Sequence, residues 1–230
     1  MSIGLKKGDD NSMELGVVSL KNPKSMISET YRVLRTNMGF AGIEQPFKTV
    51  LVTSALAMEG KSTTVANLAV VTAQAGNKVI LVDCDLRRPC LHKIFQISND
   101  MGFTNCIMSE IEPERVARSS SIPNLQILTS GPIPPNPAEV LNSARTRNMW
   151  AYLKERYDYV FIDSPPLLSV TDASIIAAQV DASLLVVLAG KTRKEVAVQA
   201  KERLQQANAR ILGVVLNQTK PNGQDNYYYY

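Results

Sequence analysis

The stretch Val50-Leu-Val-Thr-Ser-Ala-Leu-Ala-Met-Glu-Gly-Lys-Ser-Thr-Thr64 constrains the fold more than any other part of the chain. An apolar run from Val50 reads as a short strand. A helical pattern through Val65, Leu68, Ala69 and Thr72 starts directly after Gly60-Lys61-Ser62-Thr63. Strand, short loop, Gly-Lys-Ser and helix in that order form a P-loop. The loop's backbone N–H groups and the positive end of the helix cradle phosphates. In this reading Met58, Glu59, Gly60, Lys61, Ser62 and Thr63 make the nucleotide loop. Lys61 reaches the β- and γ-phosphates and Ser62 ligates Mg2+. Lys61 is expected in a solvated loop, so that its replacement changes stability little. The P-loop pattern has Gly where this chain has Ala55, so the first turn is expected to avoid a positive φ, which Ala tolerates poorly.

Gly-Lys-Ser alone is a short match that chance can supply at a helix start. Two further stretches add to it. In Lys78-Val-Ile-Leu-Val-Asp83-Cys-Asp85-Leu-Arg87-Arg88-Pro89 an apolar run ends in two carboxylates spaced i, i+2, which a strand places on one face. Tyr159-Val-Phe-Ile-Asp163-Ser-Pro-Pro166 is a second apolar strand pattern ending in Asp, the form of a Walker B strand whose Asp holds Mg2+ through water. Ligands of open α/β sheets bind outside the carboxyl ends of the strands, where these acids fall.

The 230 residues suit one α/β domain with a sizeable core, and 45% of them are hydrophobic. No run approaches the ~20 apolar residues of a membrane span, and the polar start lacks a signal-peptide core, so the chain is expected in the cytoplasm. Cys84, Cys90 and Cys106 have no metal-ligand spacing and read as reduced and structural. The single His92 excludes a histidine metal cluster, and a net charge of +4 does not argue for nucleic acid.

Strands are expected near 48–54, 79–83, 125–129, 158–163, 183–188 and 211–216. Helices are expected near 25–39, 61–75, 137–155, 171–178 and 193–207, with shorter ones near 90 and 102–118. This alternation predicts a three-layer, doubly wound, mostly parallel sheet of the P-loop NTPase kind. Gly76-Asn77 reads as a helix stop. Asn136 is placed to cap the helix that Pro137 opens. Residues 1–22 read as a polar arm and 23–220 as the P-loop domain, of which 23–40 form an oligomerisation helix. Residues 221–230 read as a flexible tail ending in Tyr227, Tyr228, Tyr229 and Tyr230.

Asp83-x-Asp85-x-Arg87-Arg88-Pro89 resembles the additional Walker A-prime motif of the deviant-Walker P-loop proteins. Within that group the chain is similar to the bacterial tyrosine kinases of capsule and exopolysaccharide synthesis. The resemblance runs from Lys24 to Asn217. It includes Ser28-Glu29-Thr-Tyr-Arg32-Val-Leu-Arg35-Thr-Asn37, Glu59-Gly60-Lys61-Ser62, the Asp83/Asp85 motif, the Pro-Pro-Asn-Pro loop, Asp163-Ser-Pro-Pro and the terminal tyrosines. Partition and cell-division ATPases carry a signature Lys five residues before the second Lys; here that position is Leu56. A regulatory ATPase of that kind is the alternative reading.

The resemblance implies MgATP-dependent transfer of the γ-phosphoryl group to tyrosine. Lys61, Asp83 and Asp85 are the catalytic candidates; Ser62, Asp85 and Asp163 the metal candidates. Asp83 faces the incoming phenol as base or orienter, while Asp85 and Asp163 support the metal through waters. Asn217 ends a strand where this class reads adenine, although a plain strand-end cap fits equally well. Arg87 and Arg88 could bind phosphate or pair with acids. Glu29, Arg32 and Arg35, at spacing three on one helix face, would make the subunit contacts of a ring, an octamer by resemblance. Ile27, Tyr31, Leu34 and Met38 form an apolar stripe on the same helix. The four tyrosines would be phosphoacceptors presented in trans. Further implied partners are a membrane adaptor of the polysaccharide chain-length regulator type, holding the protein at the inner face of the membrane, and a cognate tyrosine phosphatase.

Overall fold

The computed structural model describes residues 17–219. The first elements are α1 (Val18–Lys21), α2 (Met26–Ala41), β1 (Thr49–Ser54), α3 (Lys61–Gln74) and β2 (Val79–Asp83). They are followed by α4 (Leu91–Phe95), α5 (Phe103–Ser109), α6 (Pro113–Val116), β3 (Arg118–Ser119) and β4 (Leu125–Leu128). The last are α7 (Pro137–Asn142), α8 (Ala144–Arg156), β5 (Tyr159–Asp163), α9 (Asp172–Ala177), β6 (Ala182–Leu188), α10 (Lys194–Gln206) and β7 (Ile211–Asn217). The strands form one seven-stranded sheet in the order β3-β4-β2-β5-β1-β6-β7. All pairings are parallel except that of β3 with β4.

Every residue of β1, β2 and β6 is buried, because helices cover both faces of the sheet. Successive side chains point to opposite faces, so one strand feeds two cores. Val50 and Val52 pack with α2, α3 and α4, while Leu51 packs with α5 through α10. The second core centres on Trp150, stacked on Phe103 with ring centroids 5.7 Å apart; its indole N–H donates to Gln179 Oε1 at 3.1 Å. Among the described residues no helix is long and apolar enough to cross a membrane.

Several elements depart from the sequence reading. The helix expected over 137–155 breaks at Ser143, whose extended backbone ends α7 and whose Oγ caps α8 by accepting from Thr146 N–H at 3.2 Å. Asn136 occupies the cap position of α7 but makes no capping bond; its amide donates to Glu139 instead. The span 102–118 holds two short helices separated by Glu110 at φ 56°, and it ends in the edge strand β3. Residues 17–22, expected in a polar arm, pack on the domain instead: Val17 and Ser19 are buried, and Ser19 N–H donates to Asn67 Oδ1 of α3 at 2.9 Å; residues 1–16 of the expected arm lie outside the described residues. Gly76, at φ +92°, stops α3 as expected. Residues 220–230, with all four terminal tyrosines, lie outside the described residues.

The entrance to β1 is fastened by Asp181. Its Oδ2 accepts from the N–H groups of Lys48 and Thr49 at 2.9 and 3.0 Å, and its Oδ1 from Lys154 Nζ at 2.6 Å. Burial raises this carboxyl's pKa, but Lys154 and the two N–H groups prevail and hold it below the usual carboxylate value. A depressed folded-state pKa stabilises the fold above the unfolded value, about 3.9, and the gain is lost as pH falls through the folded value. Asp181→Asn should therefore lower the urea midpoint at pH 7. The gap between variant and parent should close as pH drops below about 4. Unfolding curves at a series of pH values check both statements.

Candidate functional site

The strand and helix patterns around Lys61 fold as the P-loop reading requires. β1 ends at Ser54, and residues 55–60 turn back so that Gly60 caps α3 at φ +88°. Ala55 is fully buried and is not among the residues with positive φ. The left-handed turn falls instead at Met58, φ 63°, beside Gly60. A Cβ on Gly60 would lie 2.1 Å from Asn217 Nδ2, so space and backbone conformation both exclude a side chain there.

The acids expected at the strand ends come together. Asp83 and Asp163 are register partners on the neighbouring strands β2 and β5, and both are fully buried. Asp85 lies just past β2 and is 4% exposed. Lys61 Nζ sits among them, 3.0 Å from Asp85 Oδ2, 3.4 Å from Asp163 Oδ1 and 3.0 Å from Ser62 Oγ. The lysine is not solvated: its side chain is 12% exposed and neutralises two buried acids. Burial alone would lower its pKa, but Asp163 and Asp85 hold the ammonium charged above the ordinary lysine value. Burial and then the charge of Asp163 push Asp83 up to about 8. Burial also raises Asp163, with Lys61 opposing it.

Asp83 organises the loop that follows it. Its Oδ1 accepts from Asp85 N–H at 3.2 Å, and its Oδ2 accepts from Cys90 and Leu91 N–H at 3.1 and 3.0 Å. The same loop is tied to α9 by Arg87, whose Nε and Nη2 donate to Asp172 Oδ2 and Oδ1 at 2.8 and 3.0 Å. Asp172 is fully buried, so the choice the sequence left open for Arg87 falls to an acidic partner. Leu167 and Leu168 N–H donate to the carbonyls of Ser54 and Ala55, joining the loop after Asp163 to the P-loop. Cys90 Sγ lies 3.9 Å from Asp163 Oδ2, and burial with that acid pushes the thiol up to about 12. Cys84, Cys90 and Cys106 are all free.

Ser62, Asp85 and Asp163 converge on one cation, which fits them to hold Mg2+ with a nucleotide. Among the described residues no cluster of three or more His, Cys, Asp or Glu could hold a metal. Mg2+ needs no such cage, since one or two carboxylates, a hydroxyl, water and phosphate oxygens complete its shell.

Asn217 reaches the same mouth from β7. Its Nδ2 donates to the Glu59 carbonyl at 2.9 Å, and its Oδ1 accepts from Gln218 N–H at 2.9 Å. Glu59 is 3% exposed; its Oε2 accepts from Leu56 N–H at 2.8 Å and its Oε1 from the Thr192 hydroxyl. Neither Thr192 nor the Arg87–Asp172 pair was legible in the sequence, because each partner lies over eighty positions away in the chain.

The three residues expected at an interface do not share one environment. Arg32 Nη1 donates to Glu29 Oε2 at 2.8 Å and its Nη2 to the Pro23 carbonyl at 2.7 Å. Arg35 turns inward and donates to the Val71 carbonyl, near the end of α3, at 3.1 Å. Of the expected apolar stripe, Met38 is buried and Tyr31 and Leu34 pack on the core, whereas Ile27 is 59% exposed.

A family model described as an AAA domain matches residues 48–211. The tyrosine-protein kinase YwqD of Bacillus subtilis is 43% identical over 228 residues, covering 99% of this chain and 96% of the relative. The kinase domain of the Escherichia coli tyrosine kinase ETK superposes with a TM-score of 0.86 at 32% identity, covering 93% of this chain and 84% of that one. The chimerical protein CapA2B2 gives 0.85 at 37% identity, with 88% and 89% covered. The septum site-determining protein MinD of Pyrococcus horikoshii gives 0.64 at 22% identity over 76% of this chain and 72% of that one; it shares the P-loop NTPase fold and is the more distant likeness. The strand-end acids, the P-loop and these similarities agree: the chain belongs to the bacterial tyrosine-protein kinases.

Proposed function

We propose that this ATP-dependent tyrosine kinase phosphorylates Tyr227, Tyr228, Tyr229 and Tyr230 of neighbouring copies in a ring-shaped homo-oligomer. By doing so it would regulate the synthesis and export of a capsular or extracellular polysaccharide. The observation that carries the phosphotransfer reading is the convergence of Ser62, Asp85 and Asp163 on the Lys61 ammonium.

In such transfer the protein mostly positions groups and stabilises charge. Ser62 would hold Mg2+ directly and Asp85 and Asp163 through waters, and the ion would supply neutralisation of the phosphate charge. Lys61, on a flexible four-carbon stem, exchanges its carboxylate partners for phosphate oxygens. The loop amides from Met58 to Thr63 face the phosphates. Asp83 fixes the loop that carries Asp85; its Oδ1 accepts one bond and keeps a lone pair for the phenol proton. Tyrosine, with a pKa near 10, needs such an acceptor at neutral pH.

Support for self-association comes from α2. Met26, Val33 and Phe40 recur at i, i+7 and i+14 and are 72%, 51% and 66% exposed, beside Glu29 and Arg32. An apolar seam flanked by charges suits a second copy. Each phosphate added to a tail brings about −1.5 to −2 charges, so crowded phosphotyrosines would leave an acidic site and loosen the ring. A membrane adaptor related to polysaccharide chain-length regulators would hold the protein at the inner face of the membrane. A cognate phosphatase would reset the tails.

Lys61→Met should abolish autophosphorylation, read by intact mass after incubation with MgATP. It should also lower stability by about 3 kcal/mol in denaturant melts, since two buried carboxylates lose their cation. Unaltered phosphotyrosine in this variant would remove Lys61 from the mechanism.

Asp83→Asn and Asp163→Asn should both lose phosphotransfer, by about a hundredfold or more. Only the second should lose most of its MgATP affinity in a titration calorimeter. Equal affinity losses would undo the division between nucleophile and metal.

Mixing Lys61→Met with an intact-site chain that lacks residues 227–230 tests transfer in trans. The Lys61→Met chain should become labelled. An unlabelled chain at high concentration, with the adaptor's cytosolic segment added, would sink transfer between copies.

A further inference from the structure

Glu59 carries the carboxylate inside the phosphate loop, and neutral donors hold it. Leu56 N–H donates to one oxygen at 2.8 Å and the Thr192 hydroxyl to the other. Thr192 is itself fixed: its Oγ1 accepts from Leu188 N–H and its N–H donates to the Leu188 carbonyl, both at 2.9 Å. That pair closes a turn at the carboxyl end of β6. From β7, Asn217 Nδ2 grips the Glu59 carbonyl at 2.9 Å, and the Asn217 carbonyl accepts from Ala189 N–H at 2.9 Å. The ends of β6 and β7 therefore meet on one residue of the loop. Beside it Met58 is held at φ 63°, a conformation a non-glycine residue keeps only where its surroundings impose it.

We propose that Thr192 and Glu59 form a latch that shapes the phosphate loop before nucleotide arrives, making Thr192 a positioning residue for ATP binding. The inference rests on reading residues 55–63 as the ATP loop. Glu59 satisfies Leu56 N–H, so the amides that follow are presented to the phosphates in one arrangement. Thr192 keeps the carboxylate from swinging out to water. A loop ordered in advance spares the nucleotide that ordering cost. Lys61, Asp85 and Asp163 do not touch the latch, so its loss falls on binding rather than on the chemical step.

Thr192→Val removes the hydroxyl and nearly keeps the shape; Thr192→Ser keeps the hydroxyl. Binding is read with a fluorescent methylanthraniloyl ATP and Mg2+, and turnover as phosphotyrosine formed against ATP concentration. Thr192→Val should weaken binding and raise KM about tenfold, the loss expected of one hydrogen bond to a charged group. Its kcat should stay within about threefold, as uniform binding loss predicts, and Thr192→Ser should lie close to the parent. Glu59→Met should weaken binding at least as much as Thr192→Val, and adding Thr192→Val to it should cost little more, since the Glu59–Thr192 contact is already gone. Glu59→Met also carries the test if Thr192→Val unfolds at the assay temperature. Unchanged affinity in a folded Thr192→Val overturns the latch, as does a fall in kcat alone or a serine variant no better than valine. A parent chain that binds the nucleotide without labelling tyrosine refutes the proposed kinase substrate, and the titrations still decide the latch.

Discussion

Asp83 and Asp163 stand opposite each other at the ends of adjacent parallel strands, both fully removed from water. Burying one carboxylate is expensive, and a second like charge beside it raises the penalty further. Two responses are visible. Lys61 reaches back from the start of α3 to within 3.4 Å of Asp163, which couples the P-loop helix to the sheet by charge. The loop from Cys84 to Leu91 wraps Asp83 and supplies it with three backbone N–H groups. The position of Asp85, the path of Arg87 toward α9 and the low exposure of Lys61 all follow from keeping this acid pair inside the molecule.

The parallel sheet was legible because its central strands are buried on both faces and read as apolar runs of Val, Ile and Leu, two of which end in acids. Lys61, Ser62, Asp83, Asp85 and Asp163 were brought together as their motifs suggested. What the sequence did not show falls into two kinds. Local breaks, such as Ser143 between α7 and α8, depend on one residue choosing an extended backbone within an otherwise helical pattern. Long-range polar partners, such as Thr192 for Glu59 and Asp172 for Arg87, have no periodicity to announce them. The solvated Lys61 expected from the motif failed for a related reason. A motif names a residue's partners in the presence of nucleotide, whereas the fold must also satisfy its acids without one.

On α2 the structure separates residues that the sequence pattern had grouped. Arg35 was grouped with Glu29 and Arg32 by spacing, yet it turns toward the last carbonyls of α3, where a cation also meets the negative end of the helix dipole. The exposed seam of Met26, Val33 and Phe40 lies on a different face from the stripe the spacing first suggested. One helix therefore braces the back of the P-loop helix with one face and presents apolar surface with another.

The placement of β1 has a consequence for how the chain acquires its shape. Val52 pairs with Asp163 and Ser54 with Val186, so the strand that launches the phosphate loop finds both neighbours more than a hundred positions later. Contacts of such separation are slow to form, because a long loop must close before any of them repays its entropy. On the ribosome the P-loop sequence emerges before these partners and must wait, unsupported, until β5, β6 and finally Asn217 have left the exit tunnel. The phosphate loop thus gains its final shape only after these later strands have been made.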